Sequence, residues 1–204
     1  MPSEFEHQIY YAITKTGYVL INDNEYNFSQ DSFVIELMKK YKKVIIGDLY
    51  NQYIDFLPDG VTHLILGRRF NKPIMNLPHT LTNLIIASNE IAYCDFNQSL
   101  DYLPEGLEYF TIGLNQGFNM PINNLPAGLK HLRLICKIFH HPINNLPNGL
   151  ESLAIGCFDY ENTHNLPTTL KKVEITYKLI EDEVKVLNKN LVNIYPNIEF
   201  KMNY

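Results

Sequence analysis

The sequence predicts a solenoid: short parallel strands stacked on one another and joined by mostly irregular, extended outer segments. Three observations carry that prediction. Prolines of a Leu-Pro corner recur at Pro58, Pro78, Pro104, Pro126, Pro147 and Pro167, with gaps of 20, 26, 22, 21 and 20 residues. Periods in this range mark arrays in which each repeat supplies one rung. After each corner the apolar residues keep one spacing, as in Leu129, Leu132 and Leu134 or Leu150, Leu153 and Ile155. The last two alternate with period two, which is the pattern of a strand with one buried face. The outer segment has constants of its own, running from Phe118 through Pro121 and Ile122 to Leu125 and Pro126. No such strand is stable alone, but stacked at roughly 4.8 Å per rung it closes a continuous core.

Each repeated residue has a separate job. Phe70, Phe96, Phe118 and Phe139 supply a bulky apolar anchor opposite the strand. Pro73, Pro121 and Pro142 fix φ and lack an N–H, which suits an extended segment. Ile74, Ile122 and Ile143 then point back inward. Gly60, Gly106, Gly128 and Gly149 follow the corner proline, where a turn tolerant of positive φ is expected, although Thr80 and Thr169 replace glycine in two copies. Asn71, Asn119 and the pairs Asn123-Asn124 and Asn144-Asn145 are expected to satisfy backbone groups in the bends. A parallel β-helix with three strands per coil is the alternative fold, disfavoured by the proline-rich outer segments.

The units Phe70 to Pro78, Phe118 to Pro126 and Phe139 to Pro147 share the spacing F-x-x-P-I-x-x-L-P. They resemble FNIP repeats, leucine-rich-repeat relatives found in amoebae and in large DNA viruses that infect them. The resemblance runs from about Val44 to Thr176. It weakens at residues 89–104, which lack the proline, and at 158–167, which have lost most of the motif. It implies a leucine-rich-repeat-like solenoid that binds proteins and has no catalytic activity.

Taken in order, residues 1–42 read as an N-terminal cap. Tyr10 to Ile13 and Tyr18 to Ile21 flank Thr14-Lys15-Thr16-Gly17, a hairpin signal, and Tyr26 to Phe28 is a possible third strand. Ser29 to Tyr41 reads as a helix capped by Ser29 or Asp31, with Phe33, Leu37 and Met38 on its buried face. Many members of the resembled family carry an F-box there; a hairpin and one helix do not look like that three-helix module. Residues 43–177 are the repeat solenoid, opening with Val44-Ile45-Ile46-Gly47 as a first rung. Residues 178–204 read as a C-terminal cap. Ile180, Val184, Leu187 and Leu191 recur at helical spacing, and Ile198-Glu199-Phe200 can close the sheet.

Composition bounds the function. The 204 residues are 46% hydrophobic, sufficient for a core, and the net charge of −5 argues against nucleic acid as the main partner. No apolar run is long enough to span a membrane, and the first residues do not resemble a secretion signal. The expectation is a cytoplasmic protein (host cytoplasm if viral) in a reducing compartment, which fits three cysteines. The triplets at Asn27 and Asn97 then read as coincidences, not glycosylation sites.

Function is expected on the sheet's outward columns. One runs Ile45, Ile65, Ile85, Thr111, Arg133, Ala154 and Glu174; the other runs Lys43, His63, Asn83, Tyr109, His131, Ser152 and Lys172. The three isoleucines form an exposed apolar ladder, and Tyr109, His131 and Arg133 add the residue types of binding hot spots. The candidate partner-binding residues are Ile45, His63, Ile65, Asn83, Ile85, Tyr109, Thr111, His131 and Arg133. Two bland readings compete: the N-terminal hairpin folds over the isoleucines, or β-branched residues simply suit parallel strands.

No cofactor, metal or catalytic residue is expected. His63 and His131 stand roughly 14 Å apart in their column, too far to share an ion. Cys136 and Cys157 are equivalent positions in successive rungs, read as small apolar residues, and nothing supplies a base for Cys94. The leading expectation is a non-enzymatic protein-interaction solenoid. The alternatives are a ubiquitin-ligase substrate adaptor docking through residues 1–42, and an assembly component whose copies self-associate.

Overall fold

Alternation of buried and half-buried residues is what makes each rung a strand. In His63–Leu66, Leu64 and Leu66 are buried while His63 and Ile65 stay half-buried, and the same pattern recurs in Lys43–Ile46, Asn83–Ile86 and Lys172–Ile175. The structure, a computed structural model, describes residues 11–22, 28–87, 93–156, 165–176 and 193–202. Ten strands form one sheet in chain order: β1 (Tyr11–Ile13), β2 (Val19–Ile21), β3 (Lys43–Ile46), β4 (His63–Leu66), β5 (Asn83–Ile86), β6 (Tyr109–Asn115), β7 (His131–Cys136), β8 (Ser152–Ile155), β9 (Lys172–Ile175) and β10 (Glu199–Met202). Only β1 and β2 pair antiparallel; every later neighbour is parallel. Among the described residues the outer segments hold no regular strand, so the architecture is the leucine-rich-repeat-like solenoid and not the three-stranded β-helix.

Register puts like on like. Leu64, Leu84, Phe110, Leu132 and Leu153 stack in one inward column, and Leu66, Ile86, Ile112, Leu134 and Ile155 in the next. Opposite them, Phe70, Phe96, Phe118 and Phe139 stack ring on ring, with centroids 6.2–6.3 Å apart and planes within 9–13°. For equivalent atoms the centroid distance is the rung spacing at that radius. It exceeds the roughly 4.8 Å of adjacent strands, so the rungs fan outward and the sheet lies on the inner, concave side. Tyr50 takes the phenylalanine's place in the first rung, 20 residues before Phe70. It packs on Phe28 and Phe56, and burial pushes its phenol up to about 12.

The expected service of asparagines to the bends takes the form of a ladder. The Asn71 N–H donates to Asn51 Oδ1 (2.9 Å), the Asn97 N–H to Asn71 Oδ1 (3.0 Å), the Asn119 N–H to Asn97 Oδ1 (3.2 Å), and the His140 N–H to Asn119 Oδ1 (3.0 Å). Each amide satisfies a backbone donor one rung on, a need that extended outer segments cannot meet among themselves. Among the paired asparagines Asn124 differs: its Nδ2 donates to the Asp101 carboxylate (2.9 Å), a side-chain bond and not the expected backbone one.

The corner glycines need a correction. Of the four, only Gly60 has positive φ (100°). At Gly128 the constraint is proximity instead, since a Cβ there would lie 2.8 Å from Glu105 O. Thr80 and Thr169 fit because their hydroxyls donate across the rung gap, Thr80 Oγ1 to Val61 O (2.8 Å) and Thr169 Oγ1 to Leu150 O (2.8 Å). Nor did the corner pattern reveal that Gly67 ends β4 so close to the previous rung that a Cβ would come within 2.4 Å of Gly47 O.

Rungs of unequal length are reconciled at Asn115. The 22-residue rung prolongs β6 past Ile112, with a register shift before Asn115 pairs Cys136. Asn115 is fully buried yet saturated: Nδ2 donates to Phe96 O (2.8 Å) and Cys94 Sγ (2.9 Å), and Oδ1 accepts from the N–H groups of Gly117 and Phe118 (both 2.7 Å).

At the N-terminal end the hairpin forms as read, but it lies in the sheet: β2 pairs β3 with Leu20 beside Ile45. A 3-10 turn (Phe28–Gln30) leads into α1 (Ser32–Tyr41), capped by Asp31, whose Oδ1 accepts from the N–H groups of Phe33 and Val34 (3.0 Å each). The buried face is Val34 and Met38, with Leu37 and Tyr41 beside it, while Phe33 is 59% exposed. The sequence pattern pointed to Phe33, one position and about 100° off, because Phe33 and Leu37 share the same i, i+4 spacing. At the other end β10 closes on β9 in register. The predicted third strand and the C-terminal helix both fall largely outside the described residues, although Asn193 and Ile194, just before Pro196, are helical.

Two stability predictions follow from these columns. Leu132→Ala, at a position only 2% exposed, should cost about 2–5 kcal/mol in urea unfolding; a loss below about 0.5 kcal/mol would remove this column from the core. Asn71→Ala takes the acceptor from Asn97 N and Gln98 Nε2 and should cost about 1–3 kcal/mol. The exposed Asn123→Ala should change stability by less than about 0.5 kcal/mol.

Candidate protein-binding face

The residue between the two buried positions of each strand points out of the concave face. Register confirms the first column as Ile45, Ile65, Ile85, Thr111, Arg133, Ala154 and Glu174, and lengthens it with Leu20 before and Lys201 after. The second holds Lys43, His63, Asn83, Tyr109, His131, Ser152 and Lys172 in register, then Glu199. Because β2 lies coplanar with β3, the hairpin strands do not cover the isoleucines. They extend the ladder with Leu20 instead, so the first of the two bland readings fails for the described residues.

The isoleucines are half-buried by one another. Next along the second column, the rings of Tyr109 and His131 stack with centroids 4.4 Å apart and planes 16° from parallel. His131 Nδ1 shares a 2.7 Å hydrogen bond with Ser152 Oγ, which fixes the ring across three rungs. Ala154 departs from expectation. It is 9% exposed because Arg133 and Glu174, one rung to either side of it, approach to 4.0 Å across it. Lys172 Nζ reaches the other Glu174 oxygen at 3.9 Å. Between the columns lies a shallow depression of about 320 Å³, walled by Tyr109 and His131 on one side and by Arg133, Ala154 and Glu174 on the other. Sequence reasoning brought Tyr109, Thr111, His131 and Arg133 to one place correctly but omitted Glu174 and Lys172, which line the same hollow. The signal was available in the small residue Ala154 flanked by opposite charges in its own column.

A third row was missed altogether. The residue before each strand runs Lys42, Thr62, Thr82, Glu108, Lys130, Glu151 and Lys171, each N–H after the first donating to the carbonyl of the one before. At its charged end the signs alternate, giving Lys130–Glu108 (2.8 Å) and Lys171–Glu151 (2.6 Å). The hydrogen bond and then the charge of Glu108 raise the Lys130 pKa, and the hydrogen bond and then the charge of Lys171 lower that of Glu151. These groups are solvent-exposed, so they shape the margin of the face more than they stabilise the fold.

Nothing in the described residues assembles chemistry. No group of three metal-ligating side chains occurs there. Burial pushes the Cys94 thiol up, against the thiolate a nucleophile needs, and Asn115 holds its sulfur. Cys136 is buried beside Asn115, while Cys157 lies outside the described residues. No described helix is long and apolar enough to cross a membrane.

Comparison with known proteins accords with this geometry. Residues 50–89, which hold the Pro58 and Pro78 corners, match the FNIP Repeat family model. That stretch carries the FNIP repeat pattern. Among solved structures it is similar to CroV588, described as a novel circular LRR protein, with a TM-score of 0.56 and 27% identity. The alignment covers 81% of this chain but only 28% of that protein's length. Among curated proteins no sequence match was found.

One prediction tests the electrostatics of the concave face. His63 is held below the ordinary histidine value, first by burial and then by the charge of Lys43. A depressed value means the folded state favours the neutral ring, so its contribution is present at neutral pH and is lost as pH falls through the folded pKa. In an NMR titration Lys43→Ala should move the His63 midpoint upward, and an unmoved midpoint would show that Lys43 does not act on it.

Proposed function

We propose that this chain is a non-enzymatic recognition module that binds a protein partner through the concave parallel-sheet face. The fold itself, a repeat solenoid, is typical of interaction scaffolds. One observation carries the finer reading: the face joins a solvent-facing apolar ladder (Leu20, Ile45, Ile65, Ile85) directly to a polar hollow with a Tyr109–His131 shelf and the Arg133–Glu174 pair. Neither half is needed to hold the core together, because the inward columns do that. Curvature adds to the case, since a concave sheet lets neighbouring rungs converge on one bound surface. An apolar strip beside aromatic and arginine side chains is the composition in which binding energy concentrates.

The test is the triple variant Ile65→Ser, Tyr109→Ala, Arg133→Ala, which alters outward positions only. Its circular dichroism spectrum and unfolding midpoint should match the parent. In quantitative cross-linking from a eukaryotic lysate, the partner enriched on the parent should fall at least about tenfold on the variant, the loss expected when hot-spot side chains are removed. Equal recovery would place binding elsewhere.

A further inference from the structure

The recognition reading leaves open what kind of partner fits, and the charge pattern answers that question. Resting on that reading, we infer that the concave face takes an acidic, apolar protein segment, seated with its apolar side chains on the isoleucine ladder and its carboxylates toward β7–β10. The two outward columns and their margin row carry seven lysine and arginine side chains against four glutamates. That is an excess of three positive charges on a chain whose net charge is −5. The face therefore opposes the sign of the molecule as a whole, which orients and accelerates approach of a negative partner while the rest of the surface repels it.

The excess is also placed: two of the three charges fall from β7 onward, with Lys130, Arg133, Lys171, Lys172 and Lys201 against Glu151, Glu174 and Glu199, and one falls before it, with Lys42 and Lys43 against Glu108. Leu20, Ile45, Ile65 and Ile85 occupy the outward column from β2 to β5 without a charge among them. From β7 onward the same column holds Arg133 and Lys201, the neighbouring column holds Lys172, and the margin holds Lys130 and Lys171. Three of the four glutamates sit against cations, Glu108 against Lys130, Glu151 against Lys171, and Glu174 against both Arg133 and Lys172, and Glu199 stands beside Lys172 in register. Arg133 and Lys172 both line the hollow, so an incoming carboxylate seated there meets two cationic side chains. From β3 to β10 the face measures roughly 34 Å along the stack, the reach of about ten extended residues. A nucleic acid meets the positive end but has no aliphatic side chains for the ladder, so a peptide segment uses more of the surface.

The full chain, immobilised, would be used to select binders from a library of random short peptides. Synthetic copies of those selected would then be measured by fluorescence anisotropy on the parent, on Arg133→Glu/Lys172→Glu, on Ile65→Ser and on the triple variant above, each checked for parent-like unfolding. The selected peptides should group aliphatic or aromatic residues at one end and Asp or Glu at the other. They should bind about tenfold more weakly to the charge-reversed pair and to Ile65→Ser, and weaken as salt rises. Peptides that need the face but show no acidic preference would overturn this inference and leave the recognition reading standing. Peptides that bind the triple variant as well as the parent would overturn both. If no peptide is selected, the inference fails. A short single-stranded oligonucleotide should not compete; displacement at matched affinity would make the face a polyanion site and overturn the peptide assignment.

Discussion

Everything in this molecule depends on in-register parallel pairing of successive rungs. Once Leu64 is fixed beside Leu84 and Leu84 beside Phe110, each side chain elsewhere in the rung is also delivered next to its counterpart. The phenylalanine stack and the asparagine ladder are consequences of that translation. So is the strictness at Gly67 and Gly128, where the preceding rung's carbonyl occupies the space a Cβ would need. A one-residue slip would turn the buried leucines to solvent and the outward charges to the core, which is why the register tolerates so little.

Unequal rungs show how the constraint is kept. In the 22-residue rung the extra residues leave the Tyr109–Ile112 register untouched and prolong β6 beyond it, with a shift before Asn115. There the fully buried Asn115 bonds to Phe96 O and Cys94 Sγ on the preceding rung, and to the N–H groups of Gly117 and Phe118 on its own. A buried amide with every arm used costs little and specifies one arrangement. The price of variation in length is thus confined to the strand exits, leaving the concave columns continuous.

That continuity gives the repeat an unbroken outward surface, on which the proposed recognition reading rests. The inward columns must stay apolar, whereas the outward ones are free to vary, and here they vary in a directed way, from isoleucines through aromatic rings to charges. Fanning of the rungs, 6.2–6.3 Å at the phenylalanines against roughly 4.8 Å at the sheet, draws these columns together on the inner side of the curve.

The sequence by itself determined the repeat, the core and the column membership, because period and alternation are one-dimensional properties that parallel stacking converts directly into neighbours. It also located the hairpin, the helix and the members of the outward columns by number. Only the tertiary structure decided what those neighbours do. The hairpin could have folded over Ile45 or lain beside it, and nothing local distinguishes the two until Leu20 pairs in the sheet. Gly128 looked like a turn residue and proved to be a matter of clearance from Glu105. Arg133 and Glu174 are 41 positions apart. Whether they meet depends on the length of their side chains, the small residue between them and the curvature that brings the rungs together, none of which a periodicity records.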